Sequence, residues 1–557
     1  MSKSKRARII MTANFRLYIA NQVAQLLQQE VNLISNQIRV TGRNYKSFGF
    51  ILPVNNVLTN QLPKGANTFR HSCQTAQNLA QQVQIDNHYI HNVTVDKASI
   101  IFQPNHQTLM TEVLNNAMNN NAVTDYSNET KKHILVDYSS PNIAKPFHVG
   151  HLRSTFIGNF IANINEYFGN KVTRINYLGD WGVQFGLLGV GFQKFGSTES
   201  LINNAIKHLF DVYVQINNEM ERDASIQERA RLFARRMEED DEECINLWKQ
   251  FRSLSIKEYK KIYKDIIEKL RDDGLLVDNR QDEAATIDIG KDRIFLRKAD
   301  RTTTYMSRDI VAAIDRFERF NFDEMYYVTS SAQNLHFQHL FKILNLSGYN
   351  WVKNCYHVDF GMVKGMSTRT GNVVFLQDIL DDAKERMMKT LSRKHNDPSS
   401  IAELVGLAAI LIQDLKAKRI KDYEFNWEKM LASHGDTGPR LQYEHARLVS
   451  IAEKTQVPIN MEADITSLLS ENSAIKLVEH ITRFEGELVR AKLHSEPCFL
   501  VNYLFILSHL ISAANHNLKV LGQTEKIAEA RMLLFAASRN TLAKGLNILG
   551  VKPLNKM

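Results

Sequence analysis

The fold is decided by residues 134–177, whose sequence is ILVDYSSPNIAKPFHVGHLRSTFIGNFIANINEYFGNKVTRINY. The short apolar run Ile134–Tyr138 predicts a strand, and a loop that contains prolines follows it. Hydrophobic periodicity then predicts a helix from about His148 to Phe168, and a second strand at Val172–Tyr177. Strand, loop, helix and strand in this order form the βαβ unit of a parallel sheet.

The regions on either side of this unit differ from it. Residues 1–105 mix short apolar runs with Asn and Gln and predict a small α+β module, whereas the Asn-rich residues 103–131 predict a connection. Residues 199–275 look helical, and their acidic run 238–243 predicts a solvated helix start rather than a metal site. Strand patterns return at Phe295–Leu296, Glu324–Thr329 and Val373–Phe375.

Helical periodicity dominates from about residue 400 onward and predicts a helix bundle. Its helices are expected at Val405–Ile420, Arg440–Glu453, Ile475–Leu493, Leu500–Val520 and Ala528–Ile548. We therefore expect an α/β protein. A Rossmann-like parallel-sheet domain would occupy residues 131–400, with an N-terminal α+β module in residues 1–130 and a C-terminal all-α helix bundle in residues 401–557.

Length and composition exclude several classes of protein. A chain of 557 residues exceeds one hydrophobic core, and 44% hydrophobic with 23% charged residues is typical of a globular protein. The four cysteines form no CxxC pair, so neither a cysteine zinc site nor a disulfide framework is expected. The longest apolar run, Cys498–Ala514, is interrupted by polar residues and predicts a buried helix rather than a membrane span.

Positive charge is concentrated at the N-terminus. Residues 1–85 carry ten Lys and Arg residues and one acid, Glu30, which accounts for the whole net charge of +9. Such a segment indicates a polyanionic partner or an organelle-targeting leader. Residues 1–29 precede that acid and have an amphipathic pattern, so we expect an organelle-targeting leader that is dispensable for activity in vitro. A plain surface helix would have a similar sequence pattern. Arg39, Arg43 and Lys46 lie beyond residues 1–29, and we expect them to face a polyanion.

The sharpest local signal is His148-Val149-Gly150-His151, which opens the predicted helix. A helix N-terminus favours phosphate, and imidazoles in the first turn can donate hydrogen bonds to phosphate oxygens as charge grows in a transition state. Gly150 leaves room for a flat base to approach the backbone. Two alternatives remain open at this point: the histidines could be metal ligands at i and i+3, or ordinary capping residues.

A second signal is the loop Lys364–Asn372, KGMSTRTGN. Glycines, hydroxyls and cations suit a mobile loop that closes over a polyphosphate, although a simple surface loop has a similar composition. The chain has no GxxxxGK[ST] motif, and Gly189-x-Gly191 lacks the third glycine of a dinucleotide fingerprint. The two signals therefore point to another class of nucleotide-binding α/β protein.

Together, the HVGH motif and the later loop resemble a class I aminoacyl-tRNA synthetase. The flanking sequences resemble arginyl-tRNA synthetases almost letter for letter at SSPNIAKPFHVGHLRST (139–155), NYLGDWGVQFG (176–186), YMSRD (305–309) and GDTGPRLQYEHAR (435–447). Residues 187–192, LLGVGF, are similar to the mitochondrial branch of that family. The resemblance covers residues 134–557, whereas residues 1–130 are only loosely similar to the family's N-terminal domain.

This resemblance implies that arginine and ATP form arginyl-adenylate and pyrophosphate, and that the arginyl group then passes to tRNA-Arg. His148 and His151 would stabilise the ATP phosphates, and Gly150 would pack against adenine. The family loop's second lysine falls on Thr368, and Lys145 would supply the missing charge, unless it is a plain surface lysine. The other residues implied to bind ATP are Met366, Ser367 and Arg369, with possible help from Lys364.

For the amino acid, the resemblance implies that Asp309 binds the guanidinium group, because a bidentate carboxylate contact distinguishes arginine from lysine. Tyr305, on the same helical face, would contact that group as well. Asn142 and Gln333 would hold the amino and carboxylate ends of the substrate. Asp137 replaces a glutamate found in most relatives, so its contact with arginine would be bridged by water or lost.

The helix bundle would bind the tRNA anticodon, with Tyr443, Arg447 and Met557 as contacts, although a stacking tyrosine and a core tyrosine look alike in a sequence. The implied partners are tRNA-Arg, L-arginine, and ATP with Mg²⁺. We expect no tightly bound cofactor, no protein metal site, no membrane and a monomer. The expected location is the mitochondrial matrix, with the cytoplasm as the alternative.

One departure from the family bears on activity. Relatives carry about 20 more residues after the predicted helix at Tyr259–Tyr263, and this chain lacks them. A catalytically impaired tRNA-binding paralogue or isoform is therefore an alternative. A cytidylyltransferase-like enzyme is a third possibility, because it shares the HxGH motif, but it would not explain the match to an anticodon-binding domain.

Overall fold

The computed structural model describes residues 12–41, 48–58, 68–119, 131–140, 149–176, 183–203, 205–239, 241–251, 276–278, 285–297, 304–364, 376–390 and 397–557. Contacts divide the chain into two compact units. The first unit comprises Met1–Lys132, Thr155–Val172 and Gly361–Met557, and the second comprises His133–Ser154 and Thr173–Phe360.

An antiparallel sheet forms the centre of the N-terminal module in the first unit. Its strands lie in the order β1-β2-β4-β3, with β1 Arg39–Val40, β2 Phe50–Pro53, β3 Ile90–Asp96 and β4 Ser99–Pro104. The helices of this module are Ala13–Leu27, Val31–Ser35, Val54–Val57 and Thr68–Gln82. The predicted α+β module is confirmed.

The helix Ala13–Leu27 belongs to the core of this module. Phe15, Ile19 and Val23 are fully buried, and the Phe15 ring stacks on Phe50 with centroids 5.5 Å apart. Arg16 is buried too, and its guanidinium donates a hydrogen bond to the Ile38 carbonyl. The amphipathic pattern is therefore explained by packing. The expectation that residues 1–29 form a dispensable leader is wrong, because their removal would take a core helix with them.

A helix occupies part of the connection predicted at residues 103–131, of which residues 120–130 lie outside the described ranges. It spans His106–Met118, and Asn105 caps it by accepting hydrogen bonds from the backbone N–H groups of Gln107 and Thr108. Its buried face, which includes Val113, packs against the C-terminal helix Glu525–Leu549. Lys544 Nζ donates to the Ala117 and Asn119 carbonyls at the end of the helix. The N-terminal module is thus docked on the bundle.

The second unit contains the expected parallel sheet. Its remaining strands, in chain order, are β5 His133–Asp137, β6 Lys171–Ile175, β7 Leu276–Asp278, β8 Ala285–Ile289, β9 Asp292–Arg297, β10 Glu324–Ser330 and β11 Cys355–Phe360. The main sheet has the order β11-β10-β5-β6, and β10 pairs in parallel with both β5 and β11. Strands β7 to β9 form a separate antiparallel sheet. Strand β5, helix Val149–Tyr167 and strand β6 follow one another in the chain as the predicted βαβ unit requires, and β5 and β6 are neighbours in the sheet.

The helices of this unit include Val183–Phe195, Thr198–Asn203, Ala205–Met220, Ser225–Glu238, residues 242–251, Tyr305–Phe320 and Asn334–Leu346. Short 3₁₀ turns occupy Ser331–Gln333 and Asn350–Asn354. In the acidic run, Asp241 accepts a hydrogen bond from the Cys244 N–H and pairs with Arg236, which confirms the predicted helix start. Gly189 faces the Phe233 ring, where a Cβ atom would lie 2.4 Å from the nearest ring carbon. Its role is close helix packing.

The C-terminal part of the first unit is the expected bundle. Its helices are Leu376–Thr390, Pro398–Leu415, Trp427–Leu431, Gly438–Thr455, Asn472–Ile481, Phe484–His494, Cys498–Asn517 and Glu525–Leu549, with a 3₁₀ turn at Ile465–Ser470. The short strands β12 Val363–Lys364 and β13 Tyr423–Glu424 pair in parallel. The helix predicted at Ile475–Leu493 is in fact two helices.

Two helices of the bundle, Pro398–Leu415 and Cys498–Asn517, have the length and apolar composition of a membrane span. In each, 56% of the apolar window is buried inside the protein. Both contribute to the core of the bundle through residues such as Ile410 and Leu504, which are fully buried.

Candidate functional site

The candidate site in the second unit lies where β5 and β10 end. Tyr327 of β10 is the partner of Asp137, the last residue of β5, and the 3₁₀ turn that carries Gln333 follows β10 directly. Ligands of open α/β sheets bind at the carboxyl ends of the strands. The sheet therefore brings residues from two distant parts of the sequence to the edge where a substrate would bind.

The turn after β5 has a strained backbone. Ser139 and Ser140 have positive φ angles of 70° and 35°, which non-glycine residues rarely adopt. Ser139 N–H donates to Ser154 Oγ at 2.8 Å, and Ser154 Oγ donates in turn to the Val328 carbonyl at 2.7 Å. Strain of this kind persists where surrounding contacts hold it, and it is concentrated at functional sites.

Asp137 is engaged by side chains of the chain itself. Its Oδ2 lies 2.7 Å from Arg316 Nη2, and Ser140 Oγ donates to its Oδ1 at 2.8 Å. Both members of the ion pair are largely buried, and the Arg316 guanidinium lies 5.4 Å from the centre of the Tyr327 ring. An internal guanidinium thus occupies this carboxylate, whose contact with arginine was expected to be bridged by water or lost.

The helix Tyr305–Phe320 presents two predicted residues to solvent. Thr304 caps this helix by accepting a hydrogen bond from the Ser307 N–H. Tyr305 is 80% exposed, and the Asp309 side chain one turn later is 41% exposed. An aromatic ring and a carboxylate that are both accessible can contact a guanidinium group together.

His336 contacts Asp309 and was not predicted. Its Nε2 lies 2.6 Å from Asp309 Oδ2, so the contact joins helix Asn334–Leu346 to helix Tyr305–Phe320. His336 follows Gln333 by three residues at the start of helix Asn334–Leu346. Its position three residues after the predicted Gln333 was the one hint in the sequence that His336 belongs to the site. Its contact with Asp309 could not be predicted, because it depends on how two helices pack.

The structure describes only part of the predicted ATP site. Gly150 lies in the first turn of helix Val149–Tyr167, and His151 follows it, half-buried. Lys364 lies on β12, and its Nζ is 2.8 Å from Asp422 Oδ2. The predicted residues outside the described ranges are Asn142, Lys145, His148, Met366, Ser367 and Arg369. Within the described ranges, no cluster of three or more His, Cys, Asp or Glu residues could hold a metal ion.

The GDTGPRLQYEHAR segment begins helix Gly438–Thr455, which fixes the end of the chain. Gln442 Nε2 donates to the Lys552 carbonyl at 2.8 Å and accepts from the Leu554 N–H at 2.9 Å through its Oε1. His445 Nδ1 lies 2.8 Å from the Leu554 carbonyl, and burial lowers the pKa of this histidine. Two residues of this sequence motif, Gln442 and His445, therefore position the C-terminal tail.

The predicted tRNA contacts lie on this helix and tail. Tyr443 is 44% exposed, and Arg447 Nη1 lies 3.7 Å from Glu444. Glu444 is fully buried, and burial raises its pKa although Arg440 pairs with it at 2.6 Å. Met557 packs against an apolar cluster that includes Met387.

Two protein families match the chain. The family described as tRNA synthetases class I (R), catalytic domain, matches residues 112–266 and 259–427, and the DALR anticodon binding domain matches residues 441–557. A relative from Dictyostelium discoideum, named probable cytoplasmic arginine–tRNA ligase, is 39% identical over 98% of this chain and 100% of its own length. The chain belongs to the arginyl-tRNA synthetase family.

Other members of the arginyl-tRNA synthetase family are similar over the whole chain. A Bos taurus protein named probable mitochondrial arginine–tRNA ligase is 38% identical over 98% of this chain and 100% of its own. The solved arginyl-tRNA synthetases of Thermus thermophilus and Plasmodium falciparum share the fold. Their TM-scores are 0.70 and 0.69 at 20% and 23% identity, and they cover 97% and 99% of this chain and 100% of their own.

The arginyl-tRNA synthetase match bears on the alternatives. The two segments matched by the catalytic-domain family overlap at residues 259–266, next to the position where family residues were expected to be missing. That position lies outside the described residues. Nothing in the comparisons supports an impaired paralogue, because relatives matched along the full chain are named as ligases. The match to an anticodon binding domain argues against a cytidylyltransferase-like enzyme.

Proposed function

We propose that this chain activates L-arginine with ATP to form arginyl-adenylate and pyrophosphate, and then transfers the arginyl group to tRNA-Arg. The observation that carries this proposal is the family membership over both the catalytic and the anticodon-binding parts of the chain. The proposed domains are residues 1–130, 131–400 and 401–557. The enzyme acts as a monomer and without a membrane.

The ATP side of the reaction needs positioning and charge stabilisation rather than a protein base. In this proposal His148 and His151 bind the phosphates in the transition state, and Gly150 packs against adenine. Lys145 replaces the family's loop lysine. The loop residues Met366, Ser367 and Arg369 close over ATP. Mg²⁺ arrives with ATP, because this ion is commonly held by substrate phosphates and water rather than by a protein cage.

The arginine side is proposed to use two accessible residues of helix Tyr305–Phe320, Tyr305 and Asp309. Asp309 accepts the guanidinium, and the Tyr305 ring contacts the same group. Gln333 and Asn142 hold the amino and carboxylate ends. Asp137 remains paired with Arg316, so its contact with the substrate is bridged by water.

The tRNA side is proposed to involve Tyr443, Arg447 and Met557 at the anticodon. The accessible Tyr443 ring supports a stacking role, because an unpaired base can stack on such a surface. Arg447 contacts a phosphate, and Met557 reaches the same region through the tail that Gln442 and His445 hold.

We propose the mitochondrial matrix as the location, with import information confined to residues 1–11. These residues carry four basic side chains and no acid, and they precede the core helix Ala13–Leu27. The relatives include both mitochondrial and cytoplasmic proteins, so the cytoplasm is the alternative. Deleting residues 2–11 should abolish import and preserve the folded enzyme. A deleted protein that still enters mitochondria would favour another import signal.

Arginine-dependent exchange of pyrophosphate into ATP tests the function. The resemblance to arginyl-tRNA synthetases implies that activation requires bound tRNA, so we expect exchange only when tRNA-Arg is present. Exchange without tRNA would contradict that requirement but not the activity. A folded protein that shows no exchange under either condition and charges no tRNA would contradict the proposed function and favour an impaired paralogue.

A further inference from the structure

We infer that His336 is a positioning residue for arginine recognition, because it holds the Asp309 carboxylate in the orientation that receives a guanidinium group. This inference rests on the proposed function, in which Asp309 contacts the substrate. It assigns a role to a residue that does not itself touch arginine.

The contact between the two side chains is short and has a defined direction. His336 Nε2 lies 2.6 Å from Asp309 Oδ2. An ionised carboxylate can only accept hydrogen bonds, so the ring nitrogen must be the donor. Hydrogen bonds to a charged acceptor are shorter and stronger than those between neutral groups. This contact is therefore strong enough to fix one oxygen of the carboxylate.

Fixing that oxygen matters because the guanidinium fork is planar. A bidentate contact requires the carboxylate to lie in the plane of the fork, with both oxygens facing it. Asp309 is on an exposed helix face, where a carboxylate held by nothing would rotate. A hydrogen bond to Oδ2 limits that rotation before the substrate arrives and leaves Oδ1, and a second acceptor position on Oδ2, for the ligand. Preorganisation of this kind lowers the entropic cost of binding.

His336 is itself held in place by its neighbours. Asn334 Nδ2, two residues earlier, donates to Asp359 Oδ2 at 3.1 Å and so attaches the helix start to β11. Phe337, the next residue, stacks on the His357 ring with centroids 4.4 Å apart. The His336–Asp309 contact therefore links the helix that carries Tyr305 to the anchored segment that carries Gln333. It would keep the two proposed contact regions at a constant separation.

The same helix provides a matched control. His339 Nε2 lies 3.1 Å from Asp292 Oδ2, so it forms the same type of pair one turn later with a different carboxylate. We would compare His336→Ala, His336→Gln and His339→Ala in tRNA-dependent pyrophosphate exchange. His336→Ala should raise the KM for arginine roughly tenfold, the loss expected for one hydrogen bond to a charged group, and leave the KM for ATP unchanged. His336→Gln retains an N–H donor and should recover most of the affinity.

Several outcomes would overturn the inference. They are an unchanged KM for arginine in His336→Ala, an equal rise in the KM for both substrates, or a similar arginine effect in His339→Ala. If His336→Ala does not fold, the KM for arginine is compared between His336→Gln and His336→Leu, because only the glutamine side chain can donate a hydrogen bond to Asp309. The Asp309→Asn variant distinguishes failure of the role inferred for His336 from failure of the proposed arginine site. If it weakens arginine binding while the His336 variants do not, the inference alone fails; if Asp309→Asn has no effect, the proposed arginine site fails.

Discussion

Replacing Asp309 by asparagine tests the proposed arginine site most directly. The substitution keeps the shape of the side chain, and the amide oxygen can still accept the hydrogen bond from His336. The change therefore removes the negative charge with little change in packing. The expected effect is a loss of arginine recognition with the fold intact.

The degree of burial sets the size of the loss. Truncating one member of a buried ion pair costs about 2–5 kcal/mol, whereas an exposed pair contributes under about 1 kcal/mol. The Asp309 side chain is 41% exposed before the substrate binds and would be covered by it, so a value near the lower end of the buried range applies. A loss of about 2–3 kcal/mol corresponds to a decrease of roughly 30- to 150-fold in kcat/KM for arginine.

The assay is tRNA-dependent pyrophosphate exchange with arginine and ATP varied separately. The KM for ATP should barely change, because the proposed ATP contacts lie on other segments. Asp292→Asn is the matched control, since Asp292 also pairs with a histidine but is exposed and outside the proposed site. Equal loss for both substrates, or the same loss in the control, would mean that Asp309 is a structural residue and does not recognise arginine.

Three further changes test other parts of the molecule. Lys145→Ala should lower the activation rate at least tenfold, about 1.4 kcal/mol, and Thr368→Lys should partly restore it; full activity of the alanine variant would show that another cation carries the charge. Phe15→Ala should reduce the free energy of unfolding by about 3–5 kcal/mol in chemical denaturation, whereas Leu17→Ala, at an exposed position of the same helix, should have a small effect. Equal losses would argue against a core role for this helix. Burial raises the pKa of Glu112 to about 7. Between about pH 4.5 and 7 the carboxyl group loses its proton in the unfolded chain but keeps it in the folded one, so the free energy of unfolding should fall as the pH rises through this range. Glu112→Gln should remove this pH dependence in unfolding measurements, and an unchanged slope would contradict the assignment.

Regular patterns explain what could be predicted about the fold. The βαβ unit from β5 to β6 was recognisable because apolar strands flank a strongly periodic helix. The helix His106–Met118 was missed because its periodicity is weak among asparagines and its apolar partner lies hundreds of residues away. The helix Ala13–Leu27 was misassigned for a different reason. An amphipathic pattern shows that one face of a helix is buried but not which surface buries it. Here the apolar face packs on the antiparallel sheet of the N-terminal module, where Phe15 stacks on Phe50.

The candidate site was predictable only in part. The motif around Asp309 and Tyr305 pointed to two residues whose side chains are accessible in the structure. It could not identify His336, because a contact between two helices is set by their packing rather than by local sequence. The same limit applies to Asp137, whose partner Arg316 is remote in the sequence but adjacent in the second unit.

The docking of helix His106–Met118 on the bundle has a consequence for synthesis on the ribosome. Lys544, which closes this contact, is 427 residues beyond Ala117 in the chain. At about 5–20 residues per second, the apolar face of the helix emerges roughly 20 to 85 s before its partner exists. During that interval the native surface for Val113 and its neighbours is incomplete, because the 3₁₀ turn Ile465–Ser470 and the helix Asn472–Ile481, which the helix also contacts, are made earlier than Glu525–Leu549. The packing of this helix is therefore completed only when translation is nearly finished, and slower elongation would lengthen the period in which part of its apolar face is uncovered.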